Sequence, residues 1–313
     1  MSDALCVTDL GIGLVMNWCI LTLIALSAWL VLRTGRISLG QQAYFGIGAY
    51  AAAVTTVMNE SSLLLALLIA TVCGATFAAL VSWSMRLLSG LQYALATLAI
   101  AELVRTGLAS WNWRIQHKNG YLIGPDGING FREIRWLYEH QISQELYLFI
   151  GLSILLAVLI LILALNQTRI GLAVRTVGFD STLASANGQP VHQLRLITQT
   201  LAGALAALAG GLYAHQTTYV EPAIFDVMLG VHAVGYAMIG GLATPLGPLI
   251  GAAFDLGLLE ATRLFEGWRM VIFGGLIAAF LRWRPGGFLD DATINKLKLF
   301  IQRRKNNEHA KFA

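Results

Sequence analysis

The stretch Ser38-Leu39-Gly40-Gln41-Gln42-Ala43-Tyr44-Phe45-Gly46-Ile47-Gly48-Ala49-Tyr50-Ala51-Ala52-Ala53 decides the class of fold. It is apolar enough to lie in a membrane, yet Gly40, Gly46, Gly48 and the Gln41-Gln42 pair interrupt it. Glycine weakens a helix by about 1 kcal/mol relative to alanine. It also lets a backbone come close to a second helix or to a ligand. Two readings follow. The stretch is either a small-residue contact between helices or a broken or closely packed helix lining a transport path.

The rest of the chain has the same character. Its 313 residues are 57% hydrophobic and only 12% charged, against about a quarter charged in a soluble domain. The apolar residues come in runs of about 17–25, the length a helix needs to cross a hydrocarbon core. Period-two alternation, the mark of a membrane barrel, is absent from the sequence. An all-α polytopic membrane protein is therefore predicted, with about nine transmembrane helices and Gly-broken segments in both halves. The predicted spans are 10–32, 40–58, 63–84, 91–111, 146–166, 194–215, 225–241, 246–262 and 269–284.

Charge placement orients these spans. Arg33, Arg36, Arg86, Arg169, Arg175, Arg195, Arg282, Arg284 and the basic tail fall on one side, and Arg114, Lys118, Arg132, Arg135, Arg263 and Arg269 on the other. The richer side is cytoplasmic, which puts the N-terminus outside and the C-terminus inside. The net charge of +4 sits largely in the last residues, among them Lys296, Lys298, Arg303, Arg304, Lys305 and Lys311. In a membrane chain such a tail points to cytoplasmic retention rather than to nucleic acid. Asp3 and Asp9, with no Lys or Arg before the first apolar run, favour a retained span over a signal peptide. Cys6, Cys19 and Cys73 lack CxxC spacing and support neither a disulfide framework nor a metal site.

A single transmembrane domain over 1–313 is expected, with three polar segments. The outer loop 112–145 contains the turn cluster Gly124-Pro125-Asp126-Gly127-Ile128-Asn129-Gly130, followed by room for a short interfacial helix. The inner loop 167–193 reads as short helices separated by Gly178 and ended by Gly188 and Pro190. The tail covers 285–313. A second interrupted stretch, Ile239-Gly240-Gly241-Leu242-Ala243-Thr244-Pro245-Leu246-Gly247-Pro248, answers the first. Interrupted hydrophobic segments in both halves are a pointer to a transport site.

Ionisable residues inside predicted spans are Glu102, Arg105, His232, Asp255 and Glu260. Such groups default to functional hypotheses. Glu102 and Arg105 share a helix face and can simply neutralise each other; Asp255 has the better claim to an interior polar position. No phosphate loop, zinc-helix motif or nucleophile elbow occurs, so the chain is not read as an enzyme and no cofactor or metal is implied. A secondary transporter or channel leaning on Glu102, Asp255 and His232 is the rival reading, and a membrane scaffold without transport a third.

Several short motifs then fall in order: Ser38-Leu39-Gly40, Phe45-Gly46-Ile47-Gly48-Ala49-Tyr50, Ala94-Leu95-Ala96-Thr97-Leu98-Ala99 with Glu102, Gly171-Leu172-Ala173-Val174-Arg175, Leu205 to Ala214, Gly240-Gly241-Leu242, Leu246-Gly247-Pro248 and Arg284-Pro285-Gly286-Gly287. Together they resemble the LivM-type permeases of bacterial ABC importers for branched-chain amino acids, a family that also serves urea and short amides. The resemblance implies an inner-membrane permease subunit that does no chemistry. Its implied partners are a homologous second permease, two ATP-binding subunits, a periplasmic solute-binding protein and membrane lipid, with no nucleic acid. The implied solute pathway includes Gly40, Gln41, Gln42, Tyr44, Phe45, Gly46, Gly48, Glu102, Gly240, Gly241 and Asp255. The implied ATPase-coupling residues are Gly171, Arg175, Asp180, Ala184 and Gly188. The chain departs from the family in having Phe179-Asp180-Ser181 for an acidic–Asn–acidic triplet, and Asp126 where Asn is commoner.

Overall fold

The computed structural model describes residues 2–116 and 122–261, with 271, 274, 275, 278, 279, 282 and 287–289. In chain order the helices are α1 (Ser2–Leu32), α2 (Gln41–Ala53), α3 (Leu63–Ser84), α4 (Gly90–Ser110), α5 (Trp136–Glu139), α6 (Gln144–Gln167), α7 (Arg169–Phe179), α8 (Ser181–Ala186), α9 (Val191–Thr217), α10 (Val227–Gly240) and α11 (Gly247–Ala261). Two short antiparallel strands, β1 (Ile115–Gln116) and β2 (Leu122–Ile123), pair within the 112–145 connection. The fold is α-helical and of the membrane type.

The expected nine spans are not found. Among the described residues four helices are long and apolar enough to cross a membrane: Gly11–Leu32, Leu63–Ser84, Gln144–Gln167 and Val191–Thr217. The other predicted spans fail for identifiable reasons. Apolar composition over 40–58 does not make one straight crossing helix, because α2 ends at Ala53 and the chain widens into a π turn over Val54–Met58. α4 is long, but Gln92, Thr97, Glu102, Arg105 and Thr106 dilute its apolar character. α10 has 14 residues, short of the roughly 20 that a crossing takes, and of the predicted span 246–262 the structure describes α11 up to Ala261. The segment 269–284 lies largely outside the described residues.

The expectation of a Gly-broken helix in the first half also needs correction. Gly46 and Gly48 lie inside the uninterrupted α2, and the irregular turn comes later, at Val54–Met58. A glycine breaks a helix only where nothing holds it, and tertiary packing overrides its weak propensity. In the second half the interruption is real: α10 stops at Gly240, Gly241 takes φ +106, and helix resumes at Gly247.

The chain divides into two compact units, Met1–Val234 and Gly235–Ala313. In the first, α9 is the hub and packs on α1, α2 and α3. Small residues make this possible. Gly48 of α2 lies against the Ala207 backbone, and Gly210 of α9 lies against the Phe45 carbonyl. Gly74 of α3 and Gly203 of α9 face each other, so that a Cβ on either would stand 2.7 Å from the other's carbonyl oxygen. Without a hydrophobic drive between helices in lipid, close van der Waals approach of this kind is what holds a bundle together. Large apolar side chains point outward instead: Leu64, Leu68, Val72 and Leu80 on α3, and Phe149, Leu156 and Ile160 on α6. Outward faces of this kind suit acyl chains or another membrane helix.

The turn cluster of 112–145 folds as its composition predicts. Gly124, Gly127 and Gly130 all take positive φ. Phe131 is fully buried and pairs with Val220 in both directions, at 2.7 and 2.9 Å. Asp126 forms an ion pair with Arg114, which accounts for an acid at that position.

Candidate functional site

The α1–α2 connector sets the site. Arg36 Nη2 donates to the carbonyls of Arg86 and Leu88 at 3.3 and 2.8 Å, closing the turn after α3. Its guanidinium lies 4.6 Å over the Tyr93 ring. Burial pulls the Arg36 pKa below its ordinary value but leaves it charged, since arginine titrates far above neutrality. Leu39 N donates to Thr97 Oγ1 at 3.1 Å, and a Cβ on Gly40 would stand 3.3 Å from the Thr97 carbonyl. The connector is thereby pinned to α4, and α2 begins where Gln41 and Gln42 enter the bundle.

Four polar side chains near the start of α2 or on α9 are buried: Gln41, Gln42, Tyr44 and Gln199 are each no more than 1% exposed. Ser27 Oγ donates to Gln41 Oε1 at 2.7 Å, and Gln199 Nε2 donates to Tyr44 Oη at 3.0 Å. Much of the remaining capacity is unused. Gln41 Nε2, Gln199 Oε1 and both ends of the Gln42 amide have no partner among the described residues. Gly230 leaves room for Gln42, since a Cβ there would collide with its Oε1. An unsatisfied buried polar group costs about 1–3 kcal/mol. The sequence reading missed Gln199. Its signal was a polar residue one helical turn after Arg195 in an otherwise apolar, Ala-rich helix.

The other expected pathway residues are distributed. Phe45 lies against Tyr213 and Phe225, with ring centroids at 5.5 and 5.9 Å. Gly46 abuts the Phe225 ring, where a Cβ would come to 2.9 Å. Gly48 is packed on α9, as above. Glu102 is not brought to the glutamines; it pairs with Arg105 at 2.8 Å on a third-exposed face of α4. In the second unit, Gly240 approaches the Gly247 backbone, Gly241 makes the turn, and buried Asp255 accepts a hydrogen bond from Tyr236 Oη at 2.7 Å.

The expected coupling residues do come together. Thr168 caps α7 by accepting from Gly171 N at 3.3 Å. Arg175 lies over the Phe179 ring at 5.7 Å. Asp180 caps α8, accepting from Thr182 N at 2.8 Å and Leu183 N at 3.0 Å. Ala184 is buried with Val177, Val191 and Leu194, which ties α8 to α7 and α9. Gly188, at φ +76, turns the chain toward α9. Phe179 and Leu183 remain 77% and 62% exposed. This helix pair touches the α1–α2 connector: Gly178 meets the Arg33 carbonyl, and Gly35 meets Gly178.

The capped helix pair thus leans on the connector that leads into α2. A family model described as "Branched-chain amino acid transport system / permease component" matches residues 12–281. The chain belongs to that family. This makes it a multi-pass membrane protein of a transport-permease family, one whose members are not enzymes.

Its relatives place it more coarsely than the resemblance did. The chain is 24% identical over 275 residues to the "High-affinity branched-chain amino acid transport system permease protein LivM" of Escherichia coli K12, covering 82% of this chain and 64% of that protein. It is 30% identical over 140 residues to the "Probable branched-chain amino acid transport permease protein LivH" of Methanocaldococcus jannaschii, covering 43% of this chain. The first of these matches spans under two thirds of its relative's length. No solved structure matches the chain.

Proposed function

We propose that this chain is the LivM-type membrane-spanning permease subunit of an ABC importer. It moves branched-chain amino acids or related small amide solutes across the bacterial inner membrane. Hydrolysis is done by two separate ATP-binding subunits, and a homologous permease and a periplasmic solute-binding protein complete the assembly. The N-terminus is periplasmic and the C-terminus cytoplasmic, as the excess of Lys and Arg on the side of 167–193 and 285–313 favours. The outer loop 112–145 then faces the binding protein; a cavity of about 420 Å³ beside Arg114, Arg132 and Arg135 supports that role.

The observation that carries this reading is the seating of α7 and α8 on the α1–α2 connector. Phe179 and Leu183 are left exposed for an ATPase groove. Force on α7–α8 passes through Gly178 and Gly35 to α2, which carries the buried Gln41, Gln42 and Tyr44. Solute and its water exchange partners with these amides as the bundle alternates.

Co-purification and uptake test the proposal. The chain should bring down ATP-binding subunits, and uptake should collapse on ATP depletion while the proton gradient is held. Uptake by this chain alone in liposomes, driven by an ion gradient, would defeat it and favour a secondary transporter.

A further inference from the structure

A second cavity, of about 510 Å³, lies between α8 and the start of α9. The turn joining the two helices spends its backbone internally: Gly188 N donates to the Ser185 carbonyl at 2.9 Å, Gln189 N to the Ala184 carbonyl at 3.0 Å and Val191 N to the Gln189 carbonyl at 2.9 Å. The side chains around it are not spent. Ser181, Thr182 and Ser185 of α8 line the cavity, as do His192, Gln193 and Arg195 of α9. Among the described residues none of these six side chains makes a hydrogen bond or an ion pair within the protein. Thr182, Ser185, His192 and Gln193 are exposed and Ser181 and Arg195 half-buried, so the cavity opens to water.

The cavity is also positive. Asp180 is the only acid between Glu145 and Glu221, and its Oδ1 already accepts from Thr182 N and Leu183 N. Arg195 has no ion-pair partner among the described residues, and Arg36 is near enough for the two like charges to act on each other. All six side chains can donate: three hydroxyls, a carboxamide, an imidazole and a guanidinium fork. Ser181 and Ser185, one helical turn apart, lie on the side of α8 away from exposed Leu183, so a protein seated on Leu183 leaves them open.

We propose that this cavity binds a phosphate monoester, carried by a free metabolite or by the headgroup of an anionic lipid such as phosphatidic acid. The Arg195 fork donates to two phosphate oxygens, and the Ser181 and Ser185 hydroxyls donate to the third. A tetrahedral group with three free oxygens meets donors from α8 and α9 at once. A planar carboxylate offers two oxygens and a single charge, and a cation is repelled by Arg195. The site rests on the cavity alone and not on the transport reading, so its failure leaves that reading standing.

The test is calorimetry on the full chain in phosphatidylcholine nanodiscs, with glycerol 3-phosphate and acetate as probes. Glycerol 3-phosphate should bind, and acetate should bind about tenfold more weakly or not at all. Arg195→Gln should weaken the phosphate about tenfold. The double variant Ser181→Ala with Ser185→Ala should weaken it by a similar factor and carries the test alone if Arg195→Gln misfolds. Arg169→Gln, which removes a cation outside the cavity, should leave binding unchanged. Adding phosphatidic acid to the nanodiscs separates the two sources: displacement of glycerol 3-phosphate assigns the site to a lipid headgroup, and undiminished binding assigns it to a free phosphate. Three results overturn the proposal: no binding of glycerol 3-phosphate, equal binding of acetate, or an equal loss in Arg169→Gln, which would mean surface charge alone. Binding unchanged in the folded cavity variants overturns it as well.

Discussion

Gly35 and Gly178 meet backbone to backbone: a Cβ on Gly35 would stand 2.9 Å from the Gly178 carbonyl oxygen. Gly35 also takes φ +73, where a side chain is strained. The contact joins the α7–α8 pair to the connector that opens α2, and a methyl group at either position forces the two apart. Gly178→Ala should therefore lower solute-stimulated ATPase activity in the reconstituted assembly while the chain still inserts. Unchanged stimulation would show that force takes another route.

Gly48 and Gly107 make a matched pair. Gly48 has no room for a side chain against Ala207, whereas nothing lies within 4 Å of a Cβ built on Gly107. Gly48→Leu should abolish assembly of the α2–α9 contact, read as loss of the folded peak in size-exclusion chromatography. Gly107→Ala should raise helix stability by about 0.5–1 kcal/mol, seen as a small upward shift in melting temperature. A tolerated Gly48→Leu would refute the packing described for α2.

The buried Gln42 amide separates stability from transport. Removing an unpartnered polar group from the interior relieves up to about 1–3 kcal/mol. Gln42→Met, close in volume, should keep or raise the melting temperature and still reduce uptake. A variant that melts lower would mean that the amide already has a structural partner, such as a tightly held water.

Asp180 offers a test of what its carboxylate does. Its Oδ1 accepts from two backbone amides at the start of α8, so shape matters more than charge. Asn is an equally good N-cap, and losing the cap costs about 0.5–2 kcal/mol. Asp180→Asn should leave ATPase coupling near normal, and Asp180→Ala should impair it. Equal loss in both variants would instead make the negative charge the point of contact with the ATPase.

Composition alone was enough to establish a helical membrane chain, because the need to satisfy every backbone group internally in lipid leaves few options. Turn chemistry was equally readable: Gly124, Gly127, Gly130, Gly188 and Gly241 all adopt the positive φ their surroundings demand. Helices in 167–193 and their end at Gly188 and Pro190 were legible, but the break between them falls at Asp180 and not at Gly178, which lies inside α7. The number of crossing helices was not, since apolar runs do not reveal where a chain opens into a π turn, as at Val54–Met58, or stops short, as in α10.

The stretch Ser38–Ala53 divides the same way. Its sequence established that something must come close to Gly46 and Gly48, because only glycine leaves that space. It did not say what comes close. The tertiary structure decided that Phe225 meets Gly46 and Ala207 meets Gly48, and that Gln199, far away in the chain, donates to Tyr44. Local periodicity and propensity record what each residue permits, whereas partners distant in sequence are chosen by the packing of whole helices.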